Sequence, residues 1–166
     1  MLWVLAIAVC QLGCPPLTLG AALDWGRMNG THRILIAAQP SAWRVLQEML
    51  SEVVDLVPAH TTADAFRILE RERIDLILST IAFDESRMID FLQTVKGTSS
   101  TGHIPFLCFR VLPGVIRDSL VDSMRDACKQ CGAVDLIDVA RLSPEAAQDE
   151  IRKVIKAYLG HGTTKN

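Results

Sequence analysis

Two cysteines separated by two residues form the pair in this sequence best suited to redox chemistry or metal binding. Cys128 and Cys131 enclose a Lys-Gln dipeptide, and such pairs act as redox centres or as half of a zinc site. Reactive pairs lie at helix N-termini, where the helix dipole lowers the thiol pKa, whereas this pair lies near the C-terminal end of a predicted helix. Core packing is therefore the favoured interpretation. A redox or interchain disulfide and a zinc ion shared across a dimer are the alternatives.

Three further positions carry groups that could bind or react. Arg110 could bind an anion, although an ion pair with Asp84 or Asp138 is the favoured prediction. Thr80 could itself be phosphorylated, but a hydrogen-bonded hydroxyl at a strand end is the expected role. Asp84 and Glu85 could offer a cation site. Acids favour the positive end of a helix, so we expect these two in the solvated first turn of one.

Five short apolar runs, each followed by an amphipathic stretch, predict the elements that position these side chains. The runs have the length of buried strands and cover residues 33–38, 53–57, 74–79, 104–109 and 134–137. Apolar residues at helical spacing follow every run. Thr61 and Ser143 have the pattern of helix N-caps, and Gly132 that of a residue just beyond a helix end.

Five repeats of strand then helix, joined by short connections, predict one doubly wound α/β domain over residues 33–159. Its parallel sheet would lie between two layers of helices, and ligands of such sheets bind beyond the carboxyl ends of the strands. The residues that follow the strands therefore define the candidate site. The most informative of them are Ala38, Gln39, Thr80, Arg110 and Val139.

The stretch Arg33–Ile36, the strand Asp75–Leu78 and the turn Gly132–Asp135 resemble, in order and spacing, a response-regulator receiver domain of the CheY-like family. The resemblance implies a flavodoxin-like fold with strand order 2-1-3-4-5 and a role in two-component, phosphorelay signalling. In that family, two acidic residues after the first strand and an aspartate after the third hold Mg²⁺. That aspartate accepts the phosphoryl group. A threonine or serine ends the fourth strand, and a lysine ends the fifth.

This chain departs from the family pattern at every one of those positions. Ala38 and Gln39 stand in place of the acidic pair, and Thr80 in place of the acceptor aspartate. Arg110 replaces the hydroxyl residue, and Val139 the lysine. Mg²⁺ binds through carboxylates and waters, and phosphoryl transfer needs groups that neutralise the moving charge. The resemblance therefore predicts a degenerate, or pseudo-, receiver with no catalytic residue, no metal site and no cofactor.

The segment between Arg110 and Gly132 is several residues longer than the family spacing. It lengthens the fourth helix or the loop that enters it, and it carries Leu112, Val115 and Ile116. Receiver domains commonly signal through the face of the fourth helix, fifth strand and fifth helix, so these apolar residues are a candidate partner surface. The alternative is that they cap the open edge of the sheet. The expected partner is a sensor kinase or a downstream signalling protein.

Composition narrows the class of function. Hydrophobic residues make up 49% of the 166 residues and charged residues 22%, which is enough apolar surface for a folded core. The net charge of −2 gives no reason to expect nucleic acid or an acidic membrane as a partner. Five cysteines are an odd number, which together with the adequate core favours a reducing compartment and a cytoplasmic protein.

Residues 1–32 and the polar tail 160–166 are predicted to lie outside the domain. Leu2–Val9 is apolar and Gly20–Ala22 resembles a signal-peptidase site, but no basic residue precedes the apolar run. The run is also shorter than the roughly 20 residues that span a bilayer. The favoured interpretation is that Met28 is the true start. A signal or anchor and a disordered leader are the alternatives, and membrane contact or export is expected only if the leader is real.

The leading hypothesis is a stand-alone receiver-like adaptor that acts without phosphorylation. The alternative is a small-ligand or flavin-binding module of the flavodoxin type. That alternative predicts a hydroxyl-rich phosphate loop after the first strand, whereas residues 38–42 supply one hydroxyl and no glycine.

Overall fold

A computed structural model describes residues 32–50 and 55–159. The leader, with its alternative start sites, and the polar tail lie outside the described residues. The strands are β1 (Arg33–Ala37), β2 (Asp55–Ala59), β3 (Leu76–Thr80), β4 (Phe106–Arg110) and β5 (Asp135–Asp138). The helices are α1 (Pro40–Leu50), α2 (Thr62–Arg71), α3 (Met88–Gly97), α4 (Val121–Gln130) and α5 (Pro144–Leu159). No helix within the described ranges is long and apolar enough to cross a membrane.

The five strands form one parallel sheet in the order β2-β1-β3-β4-β5, which confirms the order that the resemblance to receiver domains implies. Every residue of β3 and β4 is buried, which explains their unbroken apolar runs. β2 lies at one edge, where Pro58 is tolerated because an edge strand needs hydrogen bonds on one side only. The strand extends to Ala59, two residues beyond the predicted end, because it stays in register with β1 through the pair Ala37 and Ala59.

Alternate residues of each strand face two separate core layers, as the pleat of a strand requires. The first layer packs β-strand residues such as Ile77 and Phe106 against α2, α3 and α4. The second packs residues such as Leu78 and Phe109 against α1 and α5. The sheet is therefore covered by helices on both faces.

Helix ends follow the sequence signals. Thr61 caps α2, with its hydroxyl accepting from the Asp64 amide at 3.1 Å. Ser143 caps α5 by accepting from the Ala146 amide at 3.3 Å. Gly132 follows α4 with a φ of +93°, a conformation that residues with a side chain rarely adopt. These three predictions are confirmed.

The additional residues between β4 and α4 form an entry loop and do not lengthen the helix. Pro113 and Gly114, the latter with a φ of +82°, have the pattern of the two central residues of a type II turn. A single 3₁₀ turn, Asp118–Leu120, then leads into α4 at Val121. The loop thus turns back over the carboxyl edge of the sheet before the helix begins.

Candidate functional site

The predicted site residues lie together along the carboxyl edge of the sheet, and most of them are buried. Thr80 and Arg110 are the last residues of β3 and β4, which are adjacent strands. Ala38 and Val139 follow β1 and β5 and are also buried. Gln39 is half-buried, and its Nε2 donates to the Ala82 carbonyl at 2.8 Å. The chain therefore encloses this edge instead of presenting polar groups to solvent.

This donor set does not fit a divalent metal of the Mg²⁺ type. Mg²⁺ selects carboxylate oxygens and water, whereas Ala38, Gln39 and Thr80 supply one amide and one hydroxyl. The acids that flank the edge, Asp84 and Asp138, both accept hydrogen bonds from other protein groups. No cluster of three or more metal-ligating side chains occurs anywhere in the described ranges.

Arg110 is a buried cation held between two carboxylates. Its Nη1 lies 2.9 Å from Asp138 Oδ2 and its Nη2 lies 2.7 Å from Asp118 Oδ1. The side chain is only 3% exposed. The predicted ion pair with Asp138 is confirmed, but Asp84 is not a partner. Asp118 is a second partner that the sequence did not indicate.

Two carboxylates of the protein offset the charge of Arg110, although its Nε is buried without a hydrogen-bond partner among the described residues. Burial acts to lower its pKa, and the hydrogen bonds to Asp118 and Asp138 outweigh that effect and raise it. Asp118 also accepts from Arg141, and the two arginines lower the pKa of its carboxyl group. Two carboxylates of this chain therefore occupy the places beside Arg110 where an external anion would have to bind.

Thr80 does not make the hydrogen bond expected of it. Its side chain is 3% exposed, and its Oγ1 is buried without a partner among the described residues. Thr80 lines a narrow pocket with a volume of about 10 Å³, room for at most one water molecule, and the rest of the pocket is formed mainly by apolar side chains. These include Ala42, Ile81, Phe109, Val111, Leu112 and Val115. The prediction failed because the entry loop covers the strand end with apolar groups.

The three apolar residues predicted as a partner surface have different surroundings. Leu112 packs against the α1/α5 core layer and Ile116 against the α2–α4 layer, and both are half-buried. Val115 is 37% exposed. The packing of Leu112 and Ile116 agrees with the alternative interpretation, in which these residues cap the open edge of the sheet. Val115 is the most exposed of the three residues.

Asp84 and Glu85 do not form the first turn of a helix, which corrects the sequence prediction. The residues Asp84, Glu85 and Ser86 have φ values of +45°, +57° and +71°, so they form a left-handed turn before α3 begins at Met88. Left-handed conformations cost residues with a Cβ roughly 1–2 kcal/mol each. Aspartate tolerates this conformation better than most residues, but a run of three needs support from its surroundings.

That support comes from the start of α2. Asp84 Oδ2 accepts from the Thr62 amide at 3.0 Å and from the Thr62 hydroxyl at 2.5 Å. The hydrogen bond from the hydroxyl is the main cause of a lowered pKa for Asp84. The carboxylate thus satisfies a free N–H group at a helix N-terminus and ties the left-handed turn to α2.

The Cys128–Cys131 pair lies in a sulfur-rich part of the core. Cys128 is fully buried, and a hydrogen bond from Cys108 lowers its pKa while the pKa of Cys108 is raised. Cys108 Sγ also lies 3.5 Å from Met88 Sδ. All three cysteines in the described part of the chain are unpaired. Core packing, the favoured interpretation, is confirmed for Cys128, whereas Cys131 is half-buried at the helix end.

A groove between α4 and α5 exposes the edge strand β5. It lies on the face of α4, β5 and α5 from which the resemblance implies signalling, but its lining contains none of the predicted residues Leu112, Val115 and Ile116. Its volume is about 570 Å³, and all four residues of β5 line it. Arg125 Nε donates to the Leu136 carbonyl at 3.1 Å, and the Leu136 amide donates to Asp135 Oδ1 at 2.8 Å. Leu142, 43% exposed, lines the same groove. The one signal of this groove in the sequence was Leu142, an apolar residue in the connection that follows β5.

Comparisons with known proteins agree on the fold. No protein-family model and no curated protein sequence matches the chain. Among solved structures, it is similar to the receiver domain of a signal transduction histidine kinase from Syntrophus aciditrophicus. That structure has a TM-score of 0.63 and 21% identity, over 81% of this chain and 95% of the other.

Two further structures give the same picture. The receiver domain of a sensor histidine kinase from Pseudomonas aeruginosa has a TM-score of 0.63 and 16% identity, over 79% of this chain and 99% of that chain. The phosphorylated cyanobacterial phytochrome response regulator RcpA has a TM-score of 0.65 and 16% identity, over 81% of this chain and 98% of that chain. At these identities the similarity establishes the fold, which is that of CheY-like receiver domains.

Replacing Arg110 with methionine is expected to lower the free energy of unfolding by about 3 kcal/mol, because the half-buried Asp138 then lacks its counter-charge. Adding Asp138→Asn to the same variant should recover part of the loss. The matched control is Arg67→Met, which removes an exposed pair with Asp64 and should cost less than about 1 kcal/mol. Urea unfolding measures all three. Equal, small losses for Arg110→Met and Arg67→Met would contradict this account.

Asp84→Asn is expected to destabilise the protein in a pH-dependent way. The folded pKa of Asp84 lies below its unfolded value of about 3.9. The carboxylate therefore contributes stability above that unfolded value, and the contribution is lost as the pH falls through the folded pKa. Near neutral pH we expect a loss of about 1 kcal/mol, because the amide oxygen of asparagine accepts weaker hydrogen bonds from Thr62 than a carboxylate does.

Urea unfolding of wild-type protein and Asp84→Asn as a function of pH checks this prediction. The two stability curves should converge at acidic pH. The matched control, Glu85→Gln, changes an exposed acid in the same left-handed turn and should leave the curve unaltered. A constant difference between wild type and Asp84→Asn at every pH is the contrary result.

Proposed function

We propose that this protein is a receiver-like adaptor of two-component signal transduction that binds a protein partner without being phosphorylated and catalyses no reaction. The observation that carries the proposal is the combination of a receiver fold with a carboxyl edge that contains a buried Thr80 at the end of β3 and no carboxylate at Ala38 or Gln39. The receiver fold supports a role in signal transduction, and the lack of carboxylates at these positions of the carboxyl edge argues against aspartyl phosphorylation.

The chemistry of the edge supports binding over catalysis. The Pseudomonas aeruginosa receiver domain coordinates a magnesium ion in its active-site cleft. Here the corresponding edge offers an amide that is already hydrogen-bonded and a hydroxyl with no adjacent base. Arg110 occupies the position of the family's hydroxyl residue, and its charge is paired to Asp118 and Asp138. None of these groups is arranged to accept or transfer a phosphoryl group.

The groove between α4 and α5 is the surface that best suits a partner. It lies on the α4–β5–α5 face through which receiver domains commonly signal. It combines an exposed apolar residue, Leu142, with the charged side chains of Arg125 and Glu150. Protein interfaces commonly have such an apolar centre with a polar rim. The partner would be a sensor kinase or a downstream signalling protein, and the net charge of −2 gives no support for nucleic acid.

The alternative of a flavin-binding module has less support. The segment after β1 enters α1 directly at Pro40, so no loop of hydroxyl groups and glycines surrounds a phosphate.

The three unpaired cysteines of the described ranges are in keeping with a protein of the cytoplasm, where thiols stay reduced.

Incubation with acetyl phosphate and Mg²⁺ is expected to leave the mass of the protein unchanged, because no carboxylate stands at the acceptor position. Intact-mass spectrometry measures this directly, and the fluorescence of Trp43, which packs against the α1/α5 layer, reports any rearrangement. A receiver domain that retains its acceptor aspartate is the positive control. A stoichiometric covalent phosphate on this chain would overturn the proposal.

Leu142→Asp is expected to abolish partner binding without unfolding the protein, because it places a charge at the exposed apolar position of the groove. Affinity capture with the wild-type and variant proteins, followed by mass spectrometry, compares the partners retained. The matched control is Tyr158→Asp, an exposed apolar position on α5 that does not line the groove. Identical partner sets for wild type and Leu142→Asp would place the binding surface elsewhere.

A further inference from the structure

The loop that follows β4 crosses from one face of the sheet to the other. We call residues 111–117 the cover. Leu112 belongs to the core layer of α1 and α5, and Ile116, four residues later, belongs to the layer of α2, α3 and α4. The cover must therefore pass over the carboxyl edge of the sheet. Val111, Leu112 and Val115 line the same pocket as Thr80.

Few polar contacts hold the cover in this position. No backbone-to-backbone hydrogen bond joins residues 111–116 to the rest of the described chain. Arg110 Nη2 donates to the Ile116 carbonyl at 3.3 Å, a long hydrogen bond. Segments with so few hydrogen bonds open at lower free energy than the core around them.

Asp118, directly after the cover, makes the strongest polar contacts in this region. Its two carboxylate oxygens bind different arginines: Oδ1 accepts from the buried Arg110 and Oδ2 from the exposed Arg141. The first contact ties the end of the cover to β4, and the second ties it to the loop after β5. Asp118 itself is 52% exposed, so solvent and solutes can reach it.

The middle of the cover is an open turn. Pro113 and Gly114 form it, and Gly114 has a left-handed φ of +82° with no atom within 4 Å of the position its Cβ would take. Leu112 and Ile116, on either side of the turn, pack against the two core layers. Asp118 attaches the end of the cover by its ion pairs, so the loss of that residue's charge would leave mainly apolar contacts to hold the cover in place.

We propose that the cover is a gate over the carboxyl edge of the sheet, held closed by Asp118, and that its opening exposes Thr80 and the pocket beneath it. The gate is independent of the partner assigned above, because it governs the edge and not the groove. Opening separates Asp118 from Arg110, so the opened edge presents the Arg110 guanidinium beside a pocket whose lining has no charged residue.

Alkylation of a cysteine placed under the cover tests this gate. Thr80→Cys is similar in size to the native residue, and iodoacetamide is a small uncharged reagent matched to the apolar pocket. We expect Cys labelling at position 80 to be slow in Thr80→Cys and about tenfold faster when Asp118→Asn is added, since a charge-assisted hydrogen bond to Arg110 is lost. Peptide-resolved mass spectrometry separates this site from the native cysteines.

Two controls distinguish gate opening from unfolding. Asp122→Asn alters an exposed acid on α4 that pairs with Arg125, and it should not change labelling at position 80. Cys108 and Cys128, fully buried in the core, report global unfolding. A rise confined to position 80 supports the gate. An unchanged rate with Asp118→Asn, or a rise shared with Cys108 and Cys128, overturns it.

Hydrogen exchange provides a second measurement that does not depend on Thr80→Cys. In Asp118→Asn alone, the amide of Ile81, which lines the pocket beneath the cover and donates to the Phe109 carbonyl at 3.0 Å, should exchange about tenfold faster, while the amides of β1 keep their wild-type rates. Unchanged exchange at Ile81 would contradict the proposed role of Asp118.

Discussion

A guanidinium group removed from water must be paired, and that requirement organises the carboxyl edge of this protein. Arg110 is almost fully buried at the end of β4, where an isolated charge would be costly. Asp138 at the end of β5 meets one of its nitrogens and Asp118 after the long loop meets another. Because the two acids come from different parts of the chain, their pairing with one arginine determines how β4, β5 and the loop assemble.

The same pairing explains the polarity of the edge. With Arg110 neutralised, the cover can bury apolar side chains around Thr80 without leaving a free charge beneath it. The orphaned Thr80 hydroxyl is the cost of that arrangement, since an unsatisfied buried polar group destabilises a folded protein. This agrees with the proposed function, because a carboxyl edge that internal contacts keep closed needs no metal ion or phosphoryl group to hold its loops in place.

How much of this was predictable depends on how local each interaction is. The strands and helix caps follow from short-range patterns, as with Thr61, whose partner Asp64 lies three residues away. The Arg110–Asp138 pair was also predictable, because both residues end neighbouring strands of a predicted sheet. Three features were not predictable from the sequence: the role of Asp118, the left-handed turn at Asp84 and the missing partner of Thr80. Each depends on the path of a loop, and hydrophobic periodicity carries no information about loop paths.

The side chains that bond to Leu136 have a consequence for how β5 can be approached. An edge strand with free N–H and C=O groups invites another strand to pair with it, which leads to aggregation or strand exchange. In β5 the Leu136 amide and carbonyl are already occupied by Asp135 and Arg125. A molecule that enters this groove therefore meets side chains and not an open backbone ladder. Recognition there favours a helical or irregular segment that contributes side chains of its own, and extending the sheet by a sixth strand would first require those two contacts to break.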